Sequence, residues 1–416
     1  MSDDANPYFV AKKTQGAGLK DFEPQIDMPR MRQYRLDRVR RELAHRDYAA
    51  CLLYDMANIR YATGTRNMSV FTGHYPTRYV FVAADGPVIL FDAEVGTPPE
   101  QYSNTVDELR PPKNWYYEAQ GDRVAAAAHV WAAEIDDLLR SHGGSNRRLR
   151  IDRMGAMGYA PLVEFGIEIQ DGQGALEQAR AIKSADEIAC MNIAVSVCEA
   201  GVAAMREKLR PGIPEQELWA ELAHVNHLNG GEWMETRLLT SGGRTNPWYQ
   251  ECSEKLIRCG DLVAFDCDMI GPFGYCCDMS RTFLCGPSIS TPEQRRLYGV
   301  ARTQLEHDIA LIEPGMTFKE LSEKCYRVPE EFLANRYSVL MHGVGMVDEY
   351  PDVVHPLDWN EFSCDGVIEE NMVLSVESYI GEVGGAEGVK LEDQVLVAAN
   401  GVQRMSMFPF EECLME

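Results

Sequence analysis

Apolar side chains at Ile188, Met191, Val195, Cys198, Val202, Met205 and Leu209 recur at alternating spacings of three and four, which predicts a helix with one buried face. Ser184 and Glu187 open it as a capping box, a hydroxyl and a carboxylate satisfying the N–H groups that begin a helix. Thr291-Pro-Glu-Gln294 and Thr317-Phe-Lys-Glu320 mark two further starts, the first with proline at the opening helical position. Upstream, residues 31–47 have helical character, ACLLYD at 50–55 reads as a buried strand, and a helix is predicted over about 122–142. RYVFV and PVILF flank Asp85-Gly86 as a hairpin, and LRID at 149–152 is a short strand. These elements divide the chain into an extended arm over 1–30, an α/β domain over 31–175 and a second domain over 176–416, with the junction near 171–184.

The second domain carries acids where strands should be apolar. In GDLVAFDCDMIGPFGYCCDMSRTF two strand candidates flank Gly271-Pro-Phe-Gly274, and Asp266 and Asp268, two apart, share a face. Hairpin pairing brings Asp278 opposite them. Three carboxylates among Leu262, Val263, Phe265, Met269 and Phe283 must be protonated or neutralised by positive charge. No lysine adjoins these strands, and Arg281 alone is too little, so one or two divalent cations are the economical answer. Glu377 in MVLSVES and Glu392 in VKLEDQVLV sit in strand-like segments, and His342 stands in LMHGVGM, whose glycines permit close backbone approach. Each residue alone has an ordinary structural reading; the six together point to a dinuclear site. One imidazole among oxygen ligands suits Mn, Fe(II), Co or Zn better than copper. Cys276 and Cys277 read as packing residues, and His224 and His227, three apart on a helix, as structural.

Composition adds limits. A chain of 416 residues, 45% apolar and 25% charged, can bury a core and favours two domains over one. A net charge of −24 argues against nucleic acid and anionic membranes as partners, and would draw a cationic substrate to a cleft. Twelve cysteines without CxxC pairs fit reduced thiols. With no run of eighteen apolar residues and no export pattern in the first thirty positions, a cytoplasmic protein is expected.

The acidic segments resemble, in order, the motifs of the creatinase, prolidase and methionine aminopeptidase (M24 peptidase-like) superfamily. Asp266, Asp278, His342 in HGVG, Glu377 in MVLSVE and Glu392 in KLEDQVLV match its five metal-ligand positions, and NIRYATG at 58–64 and ARAIKSADEI at 179–188 look like its N-domain and linker signatures. The resemblance implies an α/β N-terminal domain plus an α+β "pita-bread" C-terminal catalytic domain with a dinuclear metal centre. Three departures share a direction. SGGRTNPWYQE has Trp248 at or near the place of a peptidase's catalytic histidine, HGVGMVDEYPD has Asp348 in place of a second histidine, and Asp268 is an added carboxylate. That combination, with RTNPW-QEC at 244–252 and Tyr337 ahead of LMHGVG, is similar to the peptidase-like dimethylsulfoniopropionate lyases.

This branch implies six metal ligands, Asp266, Asp268, Asp278, His342, Glu377 and Glu392, holding two divalent ions, iron first, with Zn, Mn or Co as alternatives. It makes Asp348 and Tyr337 the candidate catalytic residues, Asp348 removing an α-proton so that dimethyl sulfide and acrylate form. Tyr337, Trp248 and Phe71 become the wall facing a small zwitterionic substrate's sulfonium, with Phe71 standing where the family carries Trp. Two-domain members are commonly homodimers. The alternative within the same fold is a metal-dependent hydrolase of Xaa-Pro dipeptides or of a creatine-like C–N bond.

Overall fold

The computed structural model describes residues 26–93 and 103–415, which form two compact units divided between Arg180 and Ala181. The arm expected over residues 1–30 lies almost wholly outside the described residues; at its end, Asp27 accepts from the Arg30 N–H and opens a helix over Met28–His45.

In the N-terminal unit, β1 (Ala50–Leu53), β2 (Tyr79–Ala83), β3 (Val88–Phe91), β4 (Glu108–Arg110), β5 (Arg148–Ile151) and β6 (Glu168–Asp171) form a sheet of order β4-β3-β2-β1-β5-β6. The β2–β3 pair is the hairpin expected from its turn residues, with Tyr79 opposite Phe91. The helix Val124–Gly143 lays Trp131, Ile135 and Leu139 into a core with Leu52, Phe81 and Leu149, all fully buried. Sequence periodicity did not separate out the helix Gln173–Ala181, which fills most of the anticipated junction.

The second unit begins with the helix Ala185–Lys208, opened by the Ser184–Glu187 capping box. It is long and apolar enough to cross a bilayer by composition, but half of its apolar window is buried in this fold. A Cβ on Gly201 would lie 2.6 Å from Leu222 Cδ1, so glycine sets its close packing on the helix Glu215–Leu228. The strands are β7 (Trp233–Met234), β8 (Leu239–Ser241), β9 (Leu262–Asp266), β10 (Met269–Ile270), β11 (Cys276–Cys277), β12 (Ser280–Leu284), β13 (Val339–Val344), β14 (Asp348–Val354), β15 (Val373–Ile380), β16 (Val389–Ala398) and β17 (Gly401–Arg404). The main sheet runs β14-β13-β15-β16-β12-β9-β8, with β17 beside β16 and the helix Pro292–Leu311 packed on β15 and β16.

The expected acidic hairpin exists, in two pieces. Ser280 pairs with Asp266, and Met269 with Cys277. One register runs through both stretches, and continuing it sets Asp268 across from Asp278. Between them the chain breaks strand geometry, with Asp268 at φ 31°, a left-handed conformation that costs a non-glycine residue energy.

Gly343 shapes the other side of the sheet. The β13–β14 register shifts between His342 and Gly343, and a Cβ on Gly343 would lie 2.2 Å from the Tyr350 carbonyl oxygen. Gly343→Ala must push β14 away from β13. The expected cost is about 1–3 kcal/mol of stability, read as a lowered melting temperature.

Candidate metal centre

Adjacent strands project directly opposed residues onto the same face. Glu377 on β15 stands opposite Glu392 on β16, Glu392 opposite Ser280 on β12, and Ser280 opposite Asp266 on β9. A row of side chains thus crosses four strands at one level. His342 lies opposite Ser375, two residues from Glu377 and therefore on its face. Asp278, just before β12, completes the group through Gln394 Oε1, which accepts its N–H at 3.1 Å.

All six residues proposed as ligands from the sequence come together. Ligand atoms of Asp278, His342, Glu377 and Glu392 lie within 4.8 Å of one another, as do those of Asp266, Asp268 and Asp278. His342 Nε2 is 3.2 Å from Asp278 Oδ2, 3.5 Å from Glu377 Oε1 and 3.8 Å from Glu392 Oε1. Its Nδ1 lies 3.1 Å from the Gly343 carbonyl oxygen, a partner that fixes Nδ1 as donor; burial would lower the imidazole's pKa, but Asp278 and Glu377 outweigh it and raise it, so Nε2 is the nitrogen whose proton a bound cation would replace.

The expectation that no lysine serves this cluster is wrong. Lys390, two residues before Glu392 and so on the same face, is fully buried. Its Nζ is 3.0 Å from Asp266 Oδ2, 2.5 Å from Glu377 Oε2 and 2.9 Å from Glu392 Oε2, and donates to Ser280 Oγ at 2.8 Å. Arg281 points the other way, as strand alternation requires, and pairs with buried Asp393 at 2.7 Å.

One ammonium does not balance five carboxylates. Burial, then the charge of Glu392, raises the pKa of Asp266; burial and the charge of Asp266 push Asp268 up to about 7, although Thr236 Oγ1 donates to it at 2.5 Å. Asp278 is held well above the usual carboxylate range by burial and by the charge of Glu392. Burial alone would depress Lys390, but Asp266, Glu377 and Glu392 outweigh it and raise its pKa. Asp266 Oδ1, Asp278 Oδ1 and Glu392 Oε1 are buried without a hydrogen-bond donor. Orphaned oxygens converging with an imidazole nitrogen fit hard divalent cations, so these residues suit the metal ions that the chemistry asks for.

Within the same unit the surroundings contain an acid and the rings of Tyr337, Tyr249 and Trp248. Asp348, at the start of β14, has a 46% exposed side chain with Oδ1 4.0 Å from His342 Nδ1. Tyr337 stacks on Tyr249 at 5.4 Å, and Lys390 Nζ lies 5.2 Å from the Tyr337 ring and 5.8 Å from that of Trp248. Trp248 is also a packing residue, buried against Ala264 and Tyr379. Phe71 belongs to the N-terminal unit, 42% exposed on the short helix Ser69–His74, its ring against Tyr75.

Sequence reasoning missed Lys390 and Tyr249. The signal for Lys390 was its two-residue spacing from Glu392; for Tyr249 it was adjacency to Trp248. Polar bonds hold the loop that carries Trp248 and Tyr249. Asn246 Nδ2 donates to the Glu382 and Gly385 carbonyls at 2.7 and 3.1 Å, while the buried Glu215 carboxylate accepts from the backbone and hydroxyls of Ser241 and Ser253 and pairs with Arg244.

Comparison with known proteins follows this division. Residues 189–399 match metallopeptidase family M24, and residues 35–182 match the creatinase/prolidase N-terminal domain. The chain is 39% identical to the dimethylsulfoniopropionate lyase DddP of Roseovarius nubinhibens, over 94% of this chain and 88% of that protein. It is 36% identical to DddP of Roseobacter denitrificans over the same shares. An Xaa-Pro dipeptidase of Bacillus anthracis shares the fold, with a TM-score of 0.72 at 21% identity, covering 91% of this chain and 99% of that one. The chain therefore belongs to metallopeptidase family M24, in the peptidase-like branch that contains the dimethylsulfoniopropionate lyases DddP.

Proposed function

We propose that the protein is a metal-dependent carbon–sulfur lyase that splits dimethylsulfoniopropionate into dimethyl sulfide and acrylate. The relatives at 39% and 36% identity carry that name. The observation that supports the reading most is a juxtaposition within one unit: a carboxylate and imidazole cluster flanked by half-exposed Asp348 and by the rings of Tyr337 and Trp248.

Asp266, Asp268, Asp278, His342, Glu377 and Glu392 are the proposed ligands of two divalent ions, with iron the proposed metal. Such ions, when bound, supply Lewis acidity at the substrate carboxylate and so acidify the neighbouring C–H. Asp348 accepts the α-proton at its carboxylate. The C–H electron pair becomes the Cα–Cβ double bond of acrylate as the Cβ–S bond breaks, and its electrons leave with dimethyl sulfide. Tyr337 and Trp248 face the sulfonium, each ring attracting it by about 0.5–2 kcal/mol.

The test is dimethyl sulfide release from dimethylsulfoniopropionate by purified, metal-loaded protein, with Xaa-Pro dipeptides assayed in parallel. Dipeptide cleavage without dimethyl sulfide would replace the lyase reading with the hydrolase one. Tyr337→Leu is expected to raise KM roughly 2- to 30-fold while Tyr337→Phe, which keeps the ring, stays near wild type.

Further proposals concern setting. A homodimer is supported by exposed Met68, Val70 and Phe71 in the N-terminal unit, and light scattering tests it. Twelve cysteines without a disulfide support a cytoplasmic location, and the net charge of −24 supports a small cationic or zwitterionic ligand over nucleic acid or membrane.

A further inference from the structure

Behind the carboxylates lies a group of side chains that the proposed reaction does not use. Cys198, from the buried face of the helix Ala185–Lys208, meets Cys267, between Asp266 and Asp268, and Cys277, beside Asp278. The three sulfurs lie within 4.8 Å of one another, and all three residues are fully buried. Cys198 Sγ is 3.4 Å from Cys267 Sγ. Cys267 Sγ also accepts the Met279 N–H at 3.2 Å and donates to the Cys277 carbonyl oxygen at 3.4 Å, so the chain around Cys267 and Cys277 is already tied together and Cys198 is the sulfur that comes from a separate element.

We infer that Cys198 and Cys267 are an oxidation site, closed to a disulfide by small peroxides, whose formation displaces the metal-binding acids Asp266 and Asp268. The step balances. Two thiols and one hydrogen peroxide give one disulfide and two waters: the S–S bond forms, the O–O bond breaks, and both thiol protons end on the peroxide oxygens. The sulfurs must close from 3.4 Å to about 2.05 Å. The helix is anchored along its length, whereas Cys267 sits in the break between β9 and β10, so Cys267 makes most of that movement. A carboxylate on each side moves with it, one of them on the strained Asp268 backbone. Full burial excludes bulky oxidants such as glutathione disulfide.

The consequence for activity rests on the proposed function; the cross-link does not. Metal-loaded enzyme is treated with hydrogen peroxide and digested under non-reducing conditions for mass spectrometry, with metal content and dimethyl sulfide release measured on the same samples. A Cys198–Cys267 cross-linked peptide pair, two hydrogens lighter than the free peptides, is expected. Metal content and activity should fall at least several-fold with it and return after dithiothreitol and metal, and glutathione disulfide should produce none of this. Cys198→Ala, with Cys198→Ser as a second variant should alanine leave a disruptive cavity, should keep both under the same exposure. Oxidation of exposed Cys259, Cys364 and Cys413 while Cys198 and Cys267 stay free thiols overturns the inference, as does a cross-link to Cys277. Equal loss in the Cys198 variants overturns the coupling to the metal centre. If untreated enzyme releases no dimethyl sulfide, the proposed function fails, and the cross-link and metal content still decide this inference.

Discussion

Asp348→Asn is expected to lower kcat for dimethyl sulfide release by roughly 10²- to 10⁴-fold, the usual contribution of a positioned general base. Asparagine keeps the shape and hydrogen-bonding reach of the side chain but has no lone pair basic enough to accept a carbon-bound proton. Asp348 lies 4.0 Å from the imidazole nitrogen that faces away from the cluster, and its side chain is 46% exposed. The substitution should therefore leave bound metal and melting temperature near wild type. Measured together, kcat, metal content and thermal stability separate the two roles open to this carboxylate. Loss of metal along with activity would make Asp348 a ligand or a support for one, and unchanged kcat would remove it from the chemistry.

A second large effect is expected at Lys390, on stability. Its ammonium is the single Lys or Arg charge within ion-pair distance of Asp266, Glu377 and Glu392 among the described residues, and Glu377 and Glu392 oppose each other directly across the β15–β16 ladder. Removing one partner of a buried ionic network costs about 3–5 kcal/mol, because the charges left behind are neither solvated nor paired. In Lys390→Met the chelator-treated protein should melt lower than chelated wild type by on the order of 10 °C. The gap should shrink when metal is restored, since divalent cations then supply the missing positive charge. Thermal unfolding of both proteins, with and without chelator, gives the comparison. An equal gap in both conditions would mean that Lys390 stabilises the sheet independently of the metal centre.

Lys390 is not legible from the sequence neighbours of the aspartates, among which the cation is Arg281. Alternation along β12 turns Arg281 to the opposite face, and a strand more than a hundred residues later brings Lys390 in. Local patterns were read well: the three capping boxes open helices where expected, and the β2–β3 hairpin forms around its turn. The five acids and the imidazole could be gathered from spacing and motif together, because strand-borne carboxylates are conspicuous and their order along the chain is distinctive. Pairing between distant strands was not legible. Neither the opposition of Ser280 and Glu392 nor the stacking of Tyr249 on Tyr337 follows from any local period; both join segments that are far apart in the chain. Asp268 escaped in part for a different reason. Two-residue spacing placed it on the face of Asp266, whereas its left-handed backbone shows that the strand has already ended there.

The row that runs from Glu377 through Glu392 and Ser280 to Asp266 draws on two strand pairs, β15 with β16 and β9 with β12, that the helices between Pro292 and Leu333 separate along the chain. No partly assembled hairpin presents the whole of it. A metal site that needs both pairs can therefore form only late in folding, after the slow, non-local pairings are made, and bound metal would serve as an inventory of correctly registered molecules.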